Sequence, residues 1–163
     1  EFVIAYGDVL TAAGRTAEAD RQYALVAAIQ QIYAANGVDV DLELALFTAD
    51  HGRPDELPGA VARMRAVVAR RPSVTAYDAL SWVLFRGGDL AGAGDASRQA
   101  LRLGTQNPLL LFHAGMIDAA RGDRGAAIAH LDAALRLNPH FSVRFAPWAA
   151  ATLARLRAEE TIR

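Results

Sequence analysis

The stretch NPLLLFHAGMIDAARGDRGAAIAHLDAALRLNP (residues 107–139) reads as two helices joined by one tight turn. Asn107 suits a helix cap, and Pro108 suits the first helical position, where its missing N–H costs nothing. Gly122 ends the first helix, Asp123 caps the second, and Asn138-Pro139 stops it. Apolar residues recur at helical spacing on both halves, and small residues, Gly115 and Ala127, sit where two helices would cross.

Working outward, the same grammar recurs. Turn glycines fall at Gly14, Gly52, Gly88 and Gly122, in steps of 38, 36 and 34 residues. A small residue follows each near the start of the next helix: Ala19, Ala60, Ala93 and Ala127. The spacing approaches the period, about 34 residues, of helix-turn-helix repeat arrays. The pattern predicts a first helix over Phe2–Ala13 and a second over Thr16–Ala35, ended by Asn36-Gly37. A third, capped by Asp39 or Asp41, runs to Gly52, and a fourth, capped by Asp55, runs to about Arg71. The fifth spans Val74–Arg86. The sixth, capped by Asp89, runs to about Leu103 and carries Gly92 and Gly94, which should make it the least stable. The seventh and eighth are the quoted pair. A ninth begins near Pro147 (about 146–160) and ends in a polar tail with Arg155, Arg157, Glu159, Glu160 and Arg163.

Composition narrows the function classes. Hydrophobic residues make up 53% of 163, but alanine dominates and aromatics are only 7%, which suits close helix contact. The formal net charge of −1 predicts no basic face and argues against nucleic acid as the main partner. All 17 basic residues are arginine, which gene base composition explains better than anion recognition. There is no cysteine, so disulfides, thiolate metal sites and cysteine nucleophiles are excluded. No apolar run is long enough to span a membrane. The chain opens at Glu1 within an apolar pattern (Phe2, Val3, Ile4) and reads as a fragment of a longer protein.

These residues resemble the tetratricopeptide repeat. The match runs through Leu111, Ala114-Gly115, Gly122, Ala127, Leu131, Ala134 and Pro139, with Asp118 where tyrosine is usual. The first unit matches through Tyr6-Gly7, Leu10, Gly14, Ala19 and Tyr23. The second matches through Leu44-Ala45, Gly52, Ala60, Met64, Val67 and Pro72, with three extra residues around Arg53–Gly59. The third matches through Tyr77, Leu80-Ser81, Leu84, Gly88, Ala93 and Ala100. The chain is also similar to bacterial proteins with this type of repeat, a similarity that brings no activity. The resemblance implies an all-α fold. It would be a right-handed α-solenoid of about four helix-turn-helix hairpins (units 2–36, 38–72, 74–106 and 108–139) plus a capping helix.

In that family the first helix of each hairpin lines a concave groove. Carried over position by position, the groove would present Ile4, Asp8, Leu42, Leu46, Asp50, Asp78, Trp82, Phe85, Arg86, Phe112 and Met116. Such a lining would hold an apolar peptide or an amphipathic helix. The competing expectation is that the terminal helix, or a missing upstream part, fills it. The family's clamp for carboxylate termini is disfavoured, because Ile4, Asp8 and Glu43 stand at its positions. The resulting expectation is a non-catalytic protein-interaction scaffold without a cofactor. Its alternatives are a self-association module forming a homo-oligomer, and a regulatory or substrate-presenting domain of a larger enzyme.

Chemical motifs are weak. Asp39, Glu43, Asp50 and His51 read as a solvated acidic face rather than a metal site. His113 lies among apolar residues and reads as a packed, hydrogen-bonded core histidine. His130 and His140 read as surface and turn residues. Gly87-Gly88 through Gly94 lacks the strand and the Lys-Ser/Thr of a phosphate loop. No serine or threonine sits in a recognisable nucleophile motif.

Overall fold

The computed structural model describes residues 2–38 and 40–161. These residues form helices joined by short turns, with no strand among them. The helices are α1 (Phe2–Ala12), α2 (Thr16–Ala35), α3 (Asp41–His51), α4 (Leu57–Arg70), α5 (Val74–Arg86), α6 (Leu90–Leu101), α7 (Pro108–Arg121), α8 (Arg124–Leu137) and α9 (Phe145–Thr161). Each odd-numbered helix up to α7 pairs most extensively with the helix that follows it. Successive pairs meet through α4 with α5, α6 with α7, and α8 with α9. In addition α3 lies against α5, α5 against α7, and α7 against α9.

Local chemistry explains most boundaries. The Asn107 side chain accepts from the N–H groups of Leu109 and Leu110, Asp89 accepts from Gly92, and Asp123 accepts from Ala126. Each satisfies one or more of the orphan donors of a helix start. Gly37 and Gly122 adopt φ values of 71° and 81°, the left-handed conformation that closes α2 and α7. Ser73 caps α5 by accepting from Ala76 N–H, which the sequence reading did not pick out.

Two caps differ from expectation. Asp41 is the first residue of α3, whose flanking residue Val40 makes no side-chain cap; the other candidate, Asp39, lies outside the described residues. Asp55 does not cap α4. It sits in a 3-10 turn, Pro54–Glu56, that absorbs the extra residues before α4 begins at Leu57. Here Glu56 folds back to accept from Arg53 N–H at 2.8 Å, and Arg53 reaches Asp55. α9 starts at Phe145, earlier than Pro147, because Ser142 Oγ accepts from the N–H groups of Arg144 and Phe145.

Small residues stand where paired helices cross. A Cβ on Gly7 would lie 2.5 Å from the Tyr23 ring, and one on Gly115 would lie 2.7 Å from Leu131 Cγ. Ala45 and Ser81 are buried at the corresponding places on α3 and α5. Gly94 of α6 lies under the Arg121 guanidinium, so its lack of a side chain admits a neighbouring cation.

One core runs from α3 to α9 through Ala45, Met64, Trp82, Val83, Phe112, Ile117, Leu131 and Phe145. The first hairpin stands apart from it. Leu10, Ala19 and Val26 are buried between α1 and α2, and α2 barely touches α3. The attachment is made by rings: Tyr23 lies 4.2 Å from His51 and 6.1 Å from Phe47 between centroids.

Candidate functional site

The face on which the sequence placed a groove has a filled centre and an open first end. The filling comes from the turn into α9 and its first residues. Phe145 stacks on Phe112 at 5.0 Å and meets Trp82 edge-on at 5.8 Å. Trp148 reaches the same two rings, and Phe141 packs on Phe112 at 5.7 Å. Trp82 and Phe112 are each 0% exposed, so neither can touch a separate partner in this arrangement. Asp78 and Met116 are buried with them. Of the two fates weighed for the groove, filling by the terminal helix describes its α5–α7 section.

Polar partners are matched inside this filled section. His113 Nδ1 lies 3.0 Å from Asp78 Oδ1 and 3.1 Å from Oδ2, and its ring stacks on Trp82 at 4.2 Å. This is the packed, hydrogen-bonded core histidine expected from the sequence. Trp82 Nε1 donates to Asp50 Oδ1 at 2.8 Å, so Asp50 tethers a core tryptophan rather than forming a solvated acidic face. Phe85 stacks on Trp82, and Arg86 lies over the same indole, 3.9 Å from Asp50. Burial lowers the Arg86 pKa despite Asp50. His130 pairs with Asp118 at 2.8 Å, and His140 is exposed in a turn.

Arg144 is the residue that sequence reasoning missed. Its guanidinium nitrogen Nη1 lies 3.0 Å from His51 Nδ1, Nη2 donates to the Asp50 carbonyl, and the cation sits over the Phe145 ring. It thereby ties the α9 entry to the end of α3. The available signal was the spacing of Phe141, Phe145 and Trp148, which puts three large rings at four and then three residues.

The remaining predicted residues lie toward the first hairpin. Asp8 Oδ1 accepts from Tyr23 Oη at 2.9 Å and lies 3.5 Å from His51 Nε2. These groups border a cleft of about 480 Å³, closed on its far side by Val143, Arg144 and Pro147. Burial, then Arg144, lowers the His51 pKa and keeps the imidazole neutral. Burial likewise raises the Tyr23 pKa, and Asp8 adds to it. Asp8, Tyr23 and His51 spend their hydrogen-bonding capacity on one another and on neighbours, which fixes helices rather than presenting a base to a substrate. Ile4 lines a second, apolar cleft of about 280 Å³ with Val3, Val26, Ile29, Tyr33, Val38 and Val40; Glu43 is at its edge. Leu42 and Leu46 are half-buried against the core beside it.

Among the described residues no three acidic or histidine side chains form a group able to hold a metal ion, and no helix is long and apolar enough to cross a membrane. No protein-family model matches the chain, and no curated protein matches it.

Proposed function

We propose that the chain is a non-catalytic interaction scaffold built as a right-handed α-solenoid of four tetratricopeptide-type hairpins with a final capping helix. Its partner is an apolar peptide or amphipathic helix. The repeat reading rests on the crossing residues Gly7, Ala45, Ser81 and Gly115, which occupy one position in four successive pairs.

The observation that carries the binding reading is the unclosed junction after the first hairpin. α4 packs on α5 and α6 on α7, whereas α2 and α3 leave an apolar cleft between them lined by Ile4, Val26, Tyr33, Val38 and Val40. Concave, mostly apolar openings of this size with a few polar edges are where peptides find anchors. Asp8 and Glu43 at the margins would orient a bound backbone or a basic side chain.

Panning a displayed random-peptide library on the purified chain tests this. The expected result is enrichment of amphipathic sequences whose binding is lost in Ile4→Glu and in Val38→Glu, with far-UV circular dichroism unchanged. Absence of enrichment, or binding that survives both substitutions, would contradict the reading.

A further inference from the structure

The outer side of the first hairpin is an apolar face of a kind that the rest of the chain buries. Aligned on Gly7, Ser81 and Gly115, the α1 residues Phe2, Tyr6 and Val9 correspond to Ala76, Leu80 and Val83 of α5, and to Leu110, Ala114 and Ile117 of α7. The α5 set is 1%, 9% and 0% exposed and the α7 set 7%, 1% and 0%, because α4 and α6 lie on them. On α1 the same positions are 93%, 50% and 48% exposed. At about 100° per residue, these three point away from the α3 side of α1, where Asp8 meets His51.

α2 extends the face. Its side toward α3 carries Ala27, Gln31 and Ala34. Leu25 and Ile32 lie on the opposite side and are 47% and 62% exposed. The only charge on α1 is Asp8, and α2 has none after Arg21. A contiguous uncharged apolar face of this extent on a two-helix layer marks a contact surface.

We propose that this face binds the same face of a second copy, forming an isologous two-fold dimer through α1 and α2. Two observations select that occupant. The face continues, position for position, the stacking surface that joins the hairpins within the chain, so it fits another helical layer. It is also uncharged, so it meets itself without burying an unpaired ion. The other end of the chain does not match it: the outward side of α9 carries Arg155, Arg157 and Glu159, which a head-to-tail contact would have to desolvate. The proposal concerns a different face from the peptide cleft and stands or falls separately from it.

Sedimentation velocity over a concentration series is the test, with Tyr6→Arg and Ile32→Arg as variants. The expected result is a monomer–dimer equilibrium whose dissociation constant rises at least tenfold in each variant. Phe2→Arg changes a side chain that is almost wholly solvent-exposed, so it serves where either of the others fails to fold. Because the chain has no cysteine, Tyr6→Cys also reports geometry: oxidation should give a disulfide dimer that stops at two chains. A monomer at every concentration would overturn the proposal. So would association unaffected by all three arginine variants, or open-ended growth abolished by Arg155→Glu.

Discussion

Arg144 and His51 are 93 positions apart in the chain and 3.0 Å apart in space. That contact, with the Arg144 donation to the Asp50 carbonyl, locks the α9 entry across the end of α3. Arg144→Ala should cost about 1–3 kcal/mol, the range for hydrogen bonds from a charged donor. Urea unfolding should show the loss. A midpoint equal to that of the parent would show that the fold-back holds without the clasp.

His51 gives this region a pH dependence. Its burial, and Arg144 beside it, hold its pKa below the ordinary value of about 6.5. The unfolded chain therefore binds a proton in a range where the folded chain does not. The contribution to stability is complete above the ordinary value and is lost as pH falls toward the lower folded one. Thermal midpoints measured from pH 7.5 down to pH 5 should fall more steeply for the parent than for His51→Gln. Parallel curves would remove His51 as the cause.

Close helix crossing makes opposite predictions for two glycines. Gly115→Val forces a branched side chain against Leu131 and should destabilise by about 1–3 kcal/mol, as overpacking does. Gly125, in the first turn of α8, has open space around it, and Gly125→Ala should be neutral or stabilising by up to about 1 kcal/mol. Chemical denaturation of both variants checks the pair; equal effects would mean that the α7–α8 crossing is not as tight as described.

Trp82 separates core from binding surface. Trp82→Ala removes a fully buried ring that touches Phe85, Phe112, His113, Phe145 and Trp148, and should cost about 3–5 kcal/mol. Its calorimetric melting temperature should drop by many degrees. A variant as stable as the parent would return Trp82 to the groove lining.

What the sequence revealed was local. Asp89, Asn107 and Asp123 announced helix starts because a side-chain oxygen two or three residues before a free N–H is a short-range signal. Gly37 and Gly122 announced helix ends through their backbone freedom. α2 came out with its full length, Thr16–Ala35, because its apolar periodicity is unbroken. The 3-10 turn at Pro54–Glu56 was hidden by Asp55, which fits a helix cap and a turn equally well. The filling of the face by Phe141, Phe145 and Trp148 was hidden for another reason. It depends on contacts such as Arg144 with Asp50 and Trp82 with Phe145, between distant parts of the chain, and no spacing rule encodes them. Groove residues assigned by family position are correct as positions on the first helices of the hairpins. Those positions do not state what covers them.

The account depends most on the α9 entry lying in the middle of the concave face, leaving the first hairpin as the open end. The direct measurement is a nuclear Overhauser experiment on the labelled chain, reading contacts from the Phe145 and Trp148 rings to the Trp82 indole. The account predicts cross-peaks from both rings, together with a Trp82 indole N–H, hydrogen-bonded to Asp50, that exchanges slowly with solvent. Missing cross-peaks with rapid exchange at Trp82 would contradict it and reopen the groove along its whole length.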